Sequence, residues 1–233
     1  MIRLLLLAIL LFYQRNVLCG RFNLTSPKDI EERFGFMDWH ERRPEPRFNI
    51  APTQEILTIV QRDDGSRAVQ TAKWGLVPFW MRDKPRPQIN ARAETARTSP
   101  MFRDAQRCLI PANGFYEWRA KTPMHIGLRD GELFAFAGLW LPPAKHSDAL
   151  PTVTILTCTP NALVSTIHNR MPVILRPADE GTWLDPSARD PWSLMAALPA
   201  ERMRAYAVVP LVNNVINDGP ELLMPAAVEQ LSF

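Results

Sequence analysis

Cys19 opens the run Cys19-Gly20-Arg21-Phe22 directly behind a short apolar leader, and its chemistry depends on where the mature chain begins. Inside a chain, cysteine offers only a thiol. As the first residue it offers a free α-amine and a thiol on adjacent carbons, with reference pKa values of about 8 and about 8.5. Such a 1,2-aminothiol captures an aldehyde: the amine forms a Schiff base and the sulfur closes onto the imine carbon, giving a five-membered thiazolidine by covalent catalysis without a separate cofactor. The plainer alternative is a small buried cysteine, the commoner fate of a free thiol.

Five other segments are richer in polar and aromatic residues than core strands require. They are Arg47–Pro52 (RFNIAP), Trp74–Trp80 (WGLVPFW), Ile89–Thr95 (INARAET), Gly114–Trp118 (GFYEW) and Ile167–Pro172 (IHNRMP). Singly, each has a structural explanation: Trp74 and Trp118 as core aromatics, Glu117 as a solvated carboxylate, His168 as a hydrogen-bonded loop histidine, Arg92 and Arg170 as surface charges. Their order along one chain is what gives them weight.

The elements that must position these residues are short. Thr25-Ser26-Pro27-Lys28-Asp29 combines a capping residue, proline at the first helical position and an acidic first turn, which predicts a helix from about Pro27 to Phe34, ended by Gly35. Ile56 to Val60, Glu132 to Trp140 and Thr152 to Cys158 are β-branched or aromatic runs between turn residues and read as strands. Pro177 to Leu184 and Pro191 to Leu198 read as short helices. Without a regular βαβ alternation, the pattern predicts a single α+β domain: a curved, largely antiparallel, barrel-like sheet with peripheral short helices.

Composition sets the outer bounds. The 233 residues are 46% hydrophobic and 22% charged, an ordinary globular balance. Twenty-two prolines against ten glycines predict many rigid turns. The net charge of +3 does not by itself imply a nucleic-acid partner, since phosphate neutralisation needs a local basic surface. Five of the 27 basic residues are lysine and 22 are arginine, the side chain suited to bidentate phosphate contacts; a GC-rich genome explains the same bias. Three cysteines, Cys19, Cys108 and Cys158, form no C-x-x-C pair, and neither a zinc motif nor a disulfide framework is expected. A reducing compartment follows.

Together the segments closely resemble the SRAP family, abasic-site processing proteins that couple an N-terminal cysteine to abasic sites in single-stranded DNA. The resemblance runs from Cys19 to about Pro225 and rests on the CGRF start, W-G-x-x-P-x-W, I-N-A-R-x-E-T, G-F-Y-E-W, H-x-R-x-P, and the late Asn213-Asn214 with Asn217–Leu222 (NDGPEL). It implies that Cys19 reacts with the C1′ aldehyde of a ring-opened abasic sugar. It also implies that Glu117 moves protons at the amine and imine, that His168 assists ring opening, and that Asn90 orients the sugar. Arg21, Arg92 and Arg170 fall on positions implied to contact DNA phosphates. Trp80 and Trp118 are suited to supporting stacked bases whatever their sequence. No cofactor or metal is implied. The expected partner is single-stranded DNA carrying abasic sites, with replication-fork or damage-response proteins; the expected state is a cytoplasmic, nucleoid-associated monomer without stable membrane association.

One departure matters. In the family the cysteine is first after removal of the initiator methionine, whereas eighteen residues precede Cys19 here. Arg3 and the apolar run Leu4 to Phe12 resemble a secretory signal, yet Leu18 fits no signal-cleavage pattern and about ten apolar residues do not span a bilayer. Residues 1–18 are therefore expected to be a start-site artefact or a processed segment, and 19–233 the SRAP-like domain. Three functions compete: covalent capture of abasic sites through mature Cys19, with self-processing peptidase and lyase chemistry; noncovalent single-strand binding if the leader stays, since an amide nitrogen forms no imine; and an N-terminal-nucleophile cysteine peptidase.

Overall fold

The structure is a computed structural model that describes residues 19–35, 45–81, 83, 85–145 and 147–226; the leader expectation lies outside them. Two sheets carry the chain. The smaller has five strands in the order β13-β8-β7-β1-β2, namely Met203–Ala207, Thr122–Leu128, Gly114–Arg119, Phe22–Leu24 and Arg47–Ile50. The larger contains β3 (Glu55–Gln61), β4 (Arg67–Trp74), β6 (Gln106–Ala112), β9 (Phe134–Leu141) and β10 (Thr152–Cys158). Because β10 pairs with both β4 and β9, these five strands close into a ring. Closure removes sheet edges that would otherwise present unpaired backbone groups. Short β5 (Asn90–Arg92), β11 (Met171–Pro172) and β12 (Ile174–Leu175) extend the ring.

Pairing is antiparallel throughout the described residues except where β10 runs parallel to β4 and β5. All but the first residue of β10 are buried, so both of its faces are covered, which explains its unbroken apolar and β-branched character. Phe22 joins the two sheets. Its ring meets Trp74 and Phe136 edge-on at centroid distances of 5.2 and 5.8 Å, and burying such a side chain contributes roughly 1.5–3 kcal/mol. Gly114 permits a close approach at the start of β7: a Cβ there would lie 2.2 Å from His125 Nε2, the nitrogen that meets Asn23 Nδ2 on β1.

The expected helix after Ser26 forms as a 3-10 turn over Pro27–Asp29 followed by α1, Ile30–Phe34. Gly35 ends it with a left-handed φ of 69°. Ser26 does not cap it; its backbone N–H and hydroxyl donate to Asn113 Oδ1 instead, so the turn is fastened to the β6–β7 connection. Helix α2 (Ala93–Ala96) follows β5, and α3 (Pro177–Leu184) has the expected bounds. Of the segment from Pro191 to Leu198, only Pro191–Leu194 is helical, as a 3-10 turn. No helix among the described residues is long and apolar enough to cross a membrane.

Candidate active site

Strand register brings Cys19 to Glu117. Strands β1 and β7 are antiparallel with Phe22 opposite Phe115, and the Tyr116 N–H donates to Arg21 O just beyond the paired residues. Tracing the chain back from Phe22 therefore advances along β7, and the Cys19 backbone nitrogen meets Glu117 Oε1 at 2.7 Å. Both residues are buried. Burial is the main cause that lifts the Glu117 carboxyl to about 7, opposed by the N–H groups of Cys19 and Trp118. The Cys19 thiol is also pushed well up, first by burial and then by the neighbouring Glu117 charge. Near neutral pH the pair thus combines a protonated thiol with a carboxyl that readily gains or loses a proton.

Cys19 has φ of 44°, a left-handed backbone that costs a non-glycine residue about 1–2 kcal/mol. That dihedral is defined by the preceding carbonyl carbon. It ceases to exist when Cys19 is the first residue.

The strand ring supplies a second group of residues. Asn90 lies on β5 opposite Ile155 of β10, and Arg92 lies opposite Thr157 at the exposed end of the same strand. After β10, a 3-10 turn over Val164–Thr166 leads to His168, whose Nδ1 accepts the Arg170 backbone N–H at 3.2 Å. A neutral ring then carries its proton on Nε2. Burial lowers the His168 pKa from its ordinary value.

Arg170 is turned inward. Its guanidinium forks onto Glu94 of α2 with contacts of 2.5 and 2.7 Å and also donates to Thr157 O. The contact fastens the His168 loop to the segment carrying Asn90 and Arg92. It holds the Glu94 carboxyl below its usual value, chiefly through the Arg170 hydrogen bonds.

Arg21, expected on a phosphate-facing surface, is only 5% exposed. Its Nη1 donates to Asn49 Oδ1 and Val212 O, both at 2.8 Å, and burial pulls its pKa down to about 10. In this structure Arg21 therefore ties the strand behind Cys19 to Asn49 and to the Val212 carbonyl. Asn49 Nδ2 in turn faces the carbonyls of Val212, Asn214 and Asn217, while Asp218 accepts from Arg47 and from the backbone of Phe48 and Asn49. Trp118 is half-buried, with its indole N–H on Asn213 Oδ1 at 2.8 Å. Trp80, on the 3-10 turn Phe79–Met81, is 60% exposed. Sequence reasoning missed Glu94 and Asn49 as individual functional supports, although both fell within the segments singled out. Among the described residues no group of three or more His, Cys, Asp or Glu side chains is arranged to hold a metal.

These features define an α+β domain in which the residue leading into the first strand meets a buried carboxyl beside a closed strand ring. The family model for SOS response associated peptidase (SRAP) matches residues 18–215, and the chain belongs to that family. It is 43% identical over 224 residues to the abasic site processing protein YoqW of Bacillus subtilis, covering 88% of this chain and 99% of the relative. The abasic site processing protein YedK of Escherichia coli is 31% identical over 230 residues, covering 89% of this chain and all of the relative. A solved protein structure from Bacteroides thetaiotaomicron shares the fold with a TM-score of 0.75 and 25% identity, covering 90% of this chain and all of that one.

Proposed function

We propose that this protein processes abasic sites in single-stranded DNA by linking itself to them through Cys19, once Cys19 is the first residue. The observation that carries the reading is the 2.7 Å contact from the Cys19 nitrogen to the buried Glu117 carboxyl, because that nitrogen must lose a proton before it attacks an aldehyde. The names of the relatives supply the substrate class.

The reaction balances as an aldehyde plus an aminothiol giving a thiazolidine and water. Glu117 takes a proton from the Cys19 ammonium, and the amine adds to C1′. Returning that proton to the carbinolamine oxygen releases water and leaves the protonated imine. The Cys19 sulfur then bonds to C1′ as the C=N pair becomes the nitrogen's lone pair, and the thiol proton passes to the Glu117 carboxylate. His168, as the imidazolium, gives a proton from Nε2 to the ring oxygen as the sugar opens, and Asn90 holds the sugar by hydrogen bonds. Arg92 meets the backbone, while Trp80 and Trp118 receive flanking bases. An imine that β-eliminates before sulfur closure would account for lyase chemistry, and removal of residues 1–18 is the self-processing step.

The test is intact-mass analysis with an oligonucleotide containing one abasic site. The expected adduct equals protein beginning at Cys19 plus DNA minus one water. Adduct formation by protein that still begins at Met1 would overturn the role of the Cys19 amine. The second reading, noncovalent single-strand binding, is favoured by the peptide bond preceding Cys19 in the full chain, and predicts retention of abasic DNA without a mass adduct.

A further inference from the structure

A cavity of about 330 Å³ opens beyond α2, away from the Cys19–Glu117 contact. Arg97, Arg103 and Arg107 line it together with Ser99 and the rings of Phe102 and Trp192, and no carboxylate is among its described lining residues. The arginines are not consumed elsewhere in equal measure. Arg107 is anchored by the carbonyls of Trp183 and Asp185, both at 2.6 Å, which fixes its position, with the Asp185 carboxylate near enough to feel its charge. Arg97 and Arg103 meet Asp190 and Asp104 only at 3.4 Å, with all four side chains more than half exposed. Such surface pairs contribute little and exchange readily for a better acceptor.

Three guanidinium groups suit phosphate oxygens, and an aromatic wall beside them suits a planar base. The cavity is also joined to the site through the chain. Asn90 and Arg92 are on β5, and α2 leads from Arg92 directly to Arg97. Four helical residues advance about 6 Å, close to two nucleotide rises of about 3.4 Å each, so a strand with a single flanking nucleotide stops short of the cavity. We propose that this cavity is a second nucleotide subsite, receiving a phosphate and base of the strand that flanks the reacting sugar. The subsite rests on the reading of the protein as a single-strand binder and gives it a direction along α2.

The experiment measures binding to single strands carrying a tetrahydrofuran analogue, which lacks the aldehyde and so separates binding from crosslinking. A strand with one nucleotide on either side of the analogue is compared with one bearing seven on either side. Arg97→Ala/Arg103→Ala is expected to weaken binding of the long strand by about tenfold. Its logarithmic salt slope should fall by about 1.4, from about 0.7 per phosphate contact on single strands, with the loss confined to the long strand. Asp190→Asn/Asp104→Asn, which frees the same arginines, should tighten the long strand instead.

Equal losses on short and long strands, or an unchanged salt slope, would overturn the subsite. Adenosine monophosphate provides the other arm. Competition with the long strand but not the short one supports the subsite. Binding of the free nucleotide that depends on Arg97 and Arg103, without any effect of these residues on strands, would assign the cavity to a free nucleotide and overturn the proposal. Failure of the wild-type protein to crosslink an aldehyde-bearing strand would count against the proposed function alone, because none of these binding measurements requires the aldehyde.

Discussion

The Cys19 backbone nitrogen and Glu117 Oε1 are 2.7 Å apart inside the protein, and the carboxyl is lifted to about 7, chiefly by burial. Its folded value lies above its ordinary one, so the native state retains a proton that the unfolded chain releases between about pH 4.5 and 7. Stability therefore falls as pH rises through that window. Glu117→Gln keeps an oxygen acceptor for the Cys19 N–H and removes the buried charge. The variant should be more stable than wild type at pH 8, by up to about 3 kcal/mol from 1.36 kcal/mol per pKa unit, with the difference vanishing near pH 4. Thermal melts across this range check the sign; a constant difference would contradict a titrating Glu117.

Only Cys19 should provide the covalent sulfur. Burial holds the thiols of Cys108 and Cys158 well up, that of Cys158 at about 11, and both lie inside strands of the ring. Cys19→Ser should lose the stable adduct while binding abasic DNA nearly as well, because a hydroxyl is a weaker nucleophile toward an imine. Cys108→Ser and Cys158→Ser should retain the adduct in a heat-denatured gel. A heat-stable adduct from Cys19→Ser would exclude the thiazolidine.

Arg21 and Arg92 should separate cleanly in their effects. Arg92→Ala is expected to weaken binding to intact and abasic strands alike and to reduce the logarithmic salt slope by about 0.7. Arg21→Ala removes two inward hydrogen bonds and should lower stability by about 1.5–3 kcal/mol per charged hydrogen bond at most, with little change in salt slope. Denaturant titration and salt-dependent anisotropy distinguish them. A reduced slope in Arg21→Ala would restore it to the phosphate surface.

This contrast shows what the sequence made legible. Thr152–Cys158 and Pro177–Leu184 were readable because a strand buried on both sides and a proline-started helix carry their signals locally. Ring closure was not, since β10 joins β4 in parallel across 79 residues at the Lys73–Thr152 pairing. The site residues were legible by type, but their orientations depend on distant partners. Arg21 is drawn inward by Val212, 191 residues away, and Arg170 by Glu94, 76 residues away. An arginine's motif position therefore could not reveal whether its charge reaches solvent.

In the proposed reaction the Glu94–Arg170 fork gives Glu94 a positioning role for His168. Glu94→Gln should preserve one hydrogen bond to the guanidinium but lose the charge pairing, slowing crosslinking at saturating DNA several-fold. It should also shift the His168-dependent part of the pH profile, whereas Glu94→Ala should show a larger effect of the same kind. Single-turnover rates as a function of pH test this. A change in affinity alone, with an unaltered profile, would make the fork a DNA-binding contact.

Glu117 and His168 should fail at different steps, because their protons move at different atoms. In the proposed reaction Glu117 serves the amine and imine, and loss of general acid–base assistance typically slows a reaction by about a hundredfold to ten-thousandfold. Glu117→Gln should therefore crosslink slowly and lose the inflection that the Glu117 carboxyl contributes. In the same proposal His168 serves the sugar oxygen, and its pKa lies below the ordinary imidazole value because the ring is partly buried. Its inflection belongs below pH 6.5, and His168→Ala should remove that one while leaving the Glu117 inflection. Ring opening and reclosure share a transition state, so His168→Ala should also slow release of DNA from the finished adduct. Single-turnover crosslinking and reversal from about pH 5 to 8.5 resolve both effects. Identical profiles and unchanged reversal in the two variants would show that one residue performs both transfers, and the geometry would then favour Glu117, whose oxygen already touches the reacting nitrogen.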